Sequence, residues 1–90
     1  MLNMSVLVSG GGTNLQAIID AIEAGQIPNA RIVQVISSSG KAYSLERAKK
    51  HGIKGLLVGK ENYPDPEERT AALIQFLKEA DTDFIVLAGY

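Results

Sequence analysis

A short, mostly apolar run, Met4-Ser5-Val6-Leu7-Val8, leads directly into Ser9-Gly10-Gly11-Gly12-Thr13-Asn14 and then into a stripe of Leu15, Ile18, Ile19 and Ile22. The run suits a strand buried on both faces. The stripe, spaced i, i+3, i+4, i+7 within residues 14–24 and followed by Gly25, predicts a helix with one buried face. A strand that becomes a helix across three glycines is the opening unit of an open α/β sheet. The glycines allow positive φ and close backbone approach, and the new helix presents N–H groups that have no partner within it.

The same alternation continues. Pro28-Asn29 turns into Ala30–Ser37, whose β-branched residues mark a second strand. Residues 44–51 predict a helix capped by Ser44 and ended by Gly52, with Glu46 and Lys50 as an i, i+4 pair. Residues 54–58 predict a short third strand near the sheet edge. Asp65-Pro66-Glu67-Glu68 is a helix start, since Asp caps, Pro fits the first turn and carboxylates complement the dipole. That helix is expected to reach about Glu79 and bury Leu73, Phe76, Leu77 and Ala80. Phe84–Ala88 reads as a fourth buried strand.

The order β-α-β-α-β-α-β with continuous apolar strands calls for an α/β fold, a Rossmann-like parallel sheet with helices on both faces. Right-handed crossovers place the first strand centrally, the second and third to one side of it and the fourth to the other. A fourth strand so placed would need a further neighbour and a covering helix. Residues 1–90 are therefore expected to be the N-terminal portion of a larger domain.

Composition narrows the chemistry. The 90 residues contain no cysteine and one histidine, which excludes a disulfide scaffold, a thiol nucleophile and a multi-histidine metal site. Nine Lys and Arg against ten Asp and Glu remove the electrostatic case for nonspecific binding to nucleic acid or anionic membranes. No apolar run approaches the roughly 18–20 residues of a membrane span, and the N-terminus lacks the pattern of a signal peptide. The expectation is a soluble, cytoplasmic protein.

The candidate site is Ser9–Asn14. A helix N-terminus behind glycines suits an anion, and Thr13 and Asn14 add a hydroxyl and an amide for a phosphate. A dinucleotide fits less well, because Leu15 stands where the third glycine of GxGxxG belongs and Ile36, Ser37 and Ser38 replace the ribose-binding acid. Ser37-Ser38-Ser39-Gly40-Lys41 keeps a noncatalytic nucleotide- or NADP-binding module as the alternative. His51 has no acid or nucleophile close in sequence and reads as an exposed helix-end residue. Tyr43 and Tyr63 read as loop residues that pack.

Val8-Ser9-Gly10-Gly11-Gly12-Thr13-Asn14-Leu15-Gln16-Ala17-Ile18 resembles the opening signature of the phosphoribosylglycinamide formyltransferase family. Leu45-Glu46-Arg47-Ala48 and Val86-Leu87-Ala88-Gly89-Tyr90 resemble that family's second helix and the strand before its folate loop. The resemblance implies that Gly12, Thr13 and Asn14 hold the phosphate of phosphoribosylglycinamide. It implies 10-formyltetrahydrofolate as formyl donor, with most of its site beyond Tyr90. The catalytic asparagine, histidine and aspartate of the family also fall beyond this segment, and the remaining half of the protein is the implied partner. A basic residue that the family often places before its third helix is replaced here by Pro66.

Overall fold

The computed structural model describes residues 1–9, 13–40 and 43–89, with Thr13 described by its backbone alone. Among the described residues four strands and three helices alternate: β1 Leu2–Val8, α1 Thr13–Glu23, β2 Ala30–Ser37, α2 Tyr43–Lys50, β3 Lys54–Leu57, α3 Pro66–Glu79 and β4 Phe84–Ala88. All strand pairings are parallel and the order is β3-β2-β1-β4, so the order reverses beside β1, as expected.

The helices separate onto two faces. On one, Leu15 and Ile19 of α1 and Ala48 of α2 join Met4, Val6, Val8, Ala30 and Val35 in a fully buried apolar cluster. On the other, Ala72, Leu73, Phe76 and Leu77 of α3 pack over Leu7, Ile36 and Val58. One residue of β2 makes this division possible. Met4 pairs with Ile32 but Ser5 pairs with Gln34, leaving Val33 as an extra residue. That bulge reverses the phase of β2, so Ile32 and Val35 share the α1/α2 face while Gln34 turns toward α3. Gln34 is buried and donates from Nε2 to Ser5 Oγ (3.1 Å) and to the Phe76 carbonyl (3.2 Å), while Ser5 Oγ shares a hydrogen bond with Thr82 Oγ1 (2.7 Å). A polar group this deep is tolerated because each of these bonds replaces one to water.

All three helices finish with the same hydrogen-bond pattern. Gln26 N–H donates to the Ala21 carbonyl, Ile53 to Ala48 and Thr82 to Leu77, each spanning five residues. The residue before each donor takes positive φ: Gly25 (76°), Gly52 (69°) and Asp81 (52°). Glycine suits that conformation, and aspartate is one of the few other residues that adopts it routinely. Asp65 caps α3 as expected, accepting from Glu67 N–H at 3.2 Å.

Four sequence expectations need correction. α2 begins at Tyr43, so Ser44 is an interior first-turn residue, fully buried, and Tyr43 is helical. Lys50 turns away from Glu46 and donates to Tyr43 Oη at 2.9 Å, because the phenol lies on the helix face that the ammonium reaches. α3 has no fully buried residue; Leu73, Phe76, Leu77 and Ala80 are half-buried. β4 lies at the sheet edge with Ile85 46% and Leu87 70% exposed. The apolar run there matches a strand covered on both faces, but α3 covers one face incompletely.

Candidate functional site

The order reversal beside β1 defines the place to look, since ligands of open α/β sheets bind beyond the carboxyl ends of the strands at such a point. There β1 ends at Val8 and β4 at Ala88. Ser9 Oγ donates to the Gly89 carbonyl, and Ser38 N–H donates to the Val8 carbonyl at 3.0 Å. Gly89 takes φ 92°, which turns the chain across the end of β1. These bonds hold the ends of β1 and β4 and the start of the β2–α2 connection together.

Of the predicted phosphate-binding residues, Gly12 lies outside the described residues, as do Gly10 and Gly11. Thr13 is the first residue of α1, and Asn14 follows it with an exposed side chain. The N-terminus of α1 thus starts within one short connection of the switch point. Its first turn carries no acidic residue, whereas α2 has Glu46 there and α3 has Glu67 and Glu68. The partial positive charge of α1 is left uncompensated by its own side chains, which favours an anion in front of it.

The serine-rich segment after β2 is arranged differently. Ser37 is buried and closed on itself, donating from Oγ to the Ser39 carbonyl (2.7 Å) and accepting from Ser39 N–H (3.1 Å). Glu61 Oε1 accepts from Gly40 N–H at 3.3 Å. Gly59 packs so closely that a Cβ there would stand 2.0 Å from the Ser38 carbonyl oxygen. Lys41 lies outside the described residues. The Ser37 hydroxyl and the Gly40 N–H are thus already engaged within this part of the chain.

Sequence reasoning missed the surroundings of His51. Adjacent helices on one face bring their C-terminal ends together, so Glu23 at the end of α1 meets His51 after α2, with Nδ1 to Oε2 at 3.0 Å. Tyr43, expected to pack, is instead 47% exposed. Its ring lies under the Arg47 guanidinium at 4.9 Å, and the Lys50 ammonium at its hydroxyl holds the phenol below its ordinary pKa. Tyr63 packs on the α3 side of the core, as expected. Among the described residues no cluster of three metal-ligating side chains occurs, and no helix is long and apolar enough to cross a membrane.

A family model described as formyl transferase matches residues 2–90. Over 90 residues the chain is 44% identical to phosphoribosylglycinamide formyltransferase of Haemophilus influenzae, covering all of this chain and 42% of that protein. It is 45% identical over 96 residues to the phosphoribosylglycinamide formyltransferase of Dictyostelium discoideum, covering 98% of this chain and 46% of that protein. The crystal structure of glycinamide ribonucleotide transformylase 1 from Symbiobacterium toebii superposes with a TM-score of 0.91 at 43% identity, covering 100% of this chain and 42% of that one. The chain therefore spans less than half the length of these relatives.

Proposed function

We propose, since the chain belongs to the formyl transferase family, that the protein moves a formyl group from 10-formyltetrahydrofolate to the primary amine of phosphoribosylglycinamide, a step of purine biosynthesis. In this reading residues 1–90 are the N-terminal half of the transferase domain and hold the substrate phosphate through Gly12, Thr13 and Asn14. The observation that carries it is the acid-free N-terminus of α1 beside the switch point, in a chain aligned over its whole length with enzymes of that name.

The chemistry divides accordingly. The amine nitrogen attacks the formyl carbon, an oxyanion forms, the bond from that carbon to the folate nitrogen breaks, and the amine proton passes to the folate nitrogen through an acid/base group. The chain's own part is to anchor the phosphate at a distance from the reacting amine. Binding energy gained there goes into orientation, which lowers the barrier by restricting the reactants in advance. The acid/base and oxyanion groups, and most contacts to the folate donor, belong in this reading to the rest of the protein, in which the family's asparagine, histidine and aspartate fall. None of residues 1–90 takes a catalytic role.

Thr13→Asp tests the phosphate assignment. A carboxylate at the helix start still complements the dipole, so the fold is retained, but it repels the bound phosphate. Calorimetric titration of the whole protein with phosphoribosylglycinamide is expected to show affinity lowered by roughly tenfold or more, equivalent to about 1.4 kcal/mol per factor of ten. Unchanged affinity in a folded variant would place the phosphate elsewhere.

A further inference from the structure

Gln16 stands in the first turn of α1 and is held on three sides. Its Oε1 accepts from Arg47 Nη1 at 3.0 Å, its Nε2 donates to Asp20 Oδ1 at 2.9 Å, and the same Nε2 lies 3.3 Å from His51 Nε2. A guanidinium only donates and a carboxylate only accepts. The amide of Gln16 therefore has one orientation that satisfies both neighbours, with nitrogen toward His51. His51 Nε2 must then accept, so the ring proton sits on Nδ1 and is donated to Glu23 Oε2 at 3.0 Å. Arg47 is steadied in turn by the Tyr43 ring, whose hydroxyl receives Lys50. A chain of directed hydrogen bonds thus runs from the end of α1, through α2, back to the turn that carries Asn14.

We propose that Gln16 is a positioning residue for the phosphate, aligning the first turn of α1 against α2, and that protonation of His51 releases it. The proposal rests on the reading that this turn faces the phosphate. A doubly protonated ring would present an N–H from Nε2 to the N–H of Gln16. Either Gln16 rotates, losing both Arg47 and Asp20, or the ring swings away from it. Glu23 of α1 is the charged group on the ring itself, Asp20 of α1 and Arg47 of α2 reach the Gln16 amide that the ring meets, and Arg31 of β2 lines the same groove as Glu23. The ring is 25% exposed, so protons reach it.

Two measurements test this. The sequence has one histidine, so the ¹⁵N resonances of its ring report directly which nitrogen is protonated; the expected result for the neutral ring is Nδ1–H, and Nε2–H would overturn the network. The second is affinity for inorganic phosphate across about pH 5 to 8, for the unaltered chain and Gln16→Leu. Gln16→Leu is expected to weaken binding about fivefold at the upper end, with the two affinities converging as pH falls. Phosphate's own second ionisation is common to both proteins and cancels in the ratio. Equal affinities at every pH would overturn the positioning role while leaving the phosphate site standing. No phosphate binding by the unaltered chain would overturn the phosphate site itself and this role with it.

Discussion

The two faces of the sheet are built by different means. Beneath α1 and α2 the contact is mainly apolar, with Leu15 and Ile19 fully buried against Val6, Val8 and Val35 and Ser44 buried beside Ala48, and both helices end at a glycine. Beneath α3 no helix residue is fully buried, the apolar layer over Leu7, Ile36 and Val58 is joined by the Gln34-Ser5-Thr82 hydrogen-bond cluster, and the helix ends at Asp81. Close packing fixes the first pair of helices, so the turn of α1 at the switch point has a firm backing. Hydrogen bonds and a thinner apolar layer hold the third. A helix that presents a binding turn needs the former, because small displacements at an anchoring site cost affinity.

Substitutions that break the contrast differ in size. Leu15→Ala is expected to cost about 3 kcal/mol, against about 1.5 kcal/mol for Leu73→Ala on the other face, because a fully buried leucine leaves both lost contacts and a cavity; urea unfolding of the two variants checks the ratio. If the two cost the same, α3 is packed as tightly as α1. Gln34→Leu comes next, at about 1 kcal/mol, since Ser5 keeps its bond to Thr82 while the link to the Phe76 carbonyl is lost. A gain in stability there would mean the polar cluster is a net cost that an apolar core could replace.

Asp81→Gly sharpens the comparison with the opposite sign. Giving α3 the glycine ending of the other helices is expected to stabilise by about 0.5 kcal/mol, read as a raised thermal midpoint. The smallest effect concerns Tyr43. Lys50 lowers its pKa in the folded chain by hydrogen bonding and by its charge, so the associated stability is present above the ordinary tyrosine value and disappears as pH falls through the folded one. Lys50→Gln should therefore raise the ultraviolet titration midpoint of the phenol while leaving thermal stability at neutral pH nearly unchanged. A midpoint that does not move would show that the ammonium does not reach the ring in solution.

Element order, the parallel sheet and its strand order were legible because apolar periodicity, glycines after helices and the Asp65-Pro66 start are local signals. β2 and β4 were placed to the residue by their β-branched and aromatic runs. The open side of β4 follows from its predicted place in the strand order, where a further neighbour and a covering helix are called for, although the apolar run by itself says only what the strand can bury. The Val33 bulge left no trace in composition, and only Gln34 amid aliphatics hinted that the phase of β2 changes. For the site, the glycine segment and the helix start it precedes were readable from spacing alone. The His51–Glu23 and Gln16–Arg47 contacts join residues 28 and 31 apart on two helices, and pairing them requires knowing that both helices lie on one face.

The most direct test of the central claim is a map of backbone amide shifts as phosphoribosylglycinamide is added. The predicted result is that the largest changes fall on Ser9, Thr13 and Asn14, with Gln16 following and the amides of 38–40 and 59–61 little affected. Largest changes at Ser38, Gly40 and Lys60, with Thr13 and Asn14 unmoved, would contradict it and assign the phosphate to the β2–α2 side of the sheet.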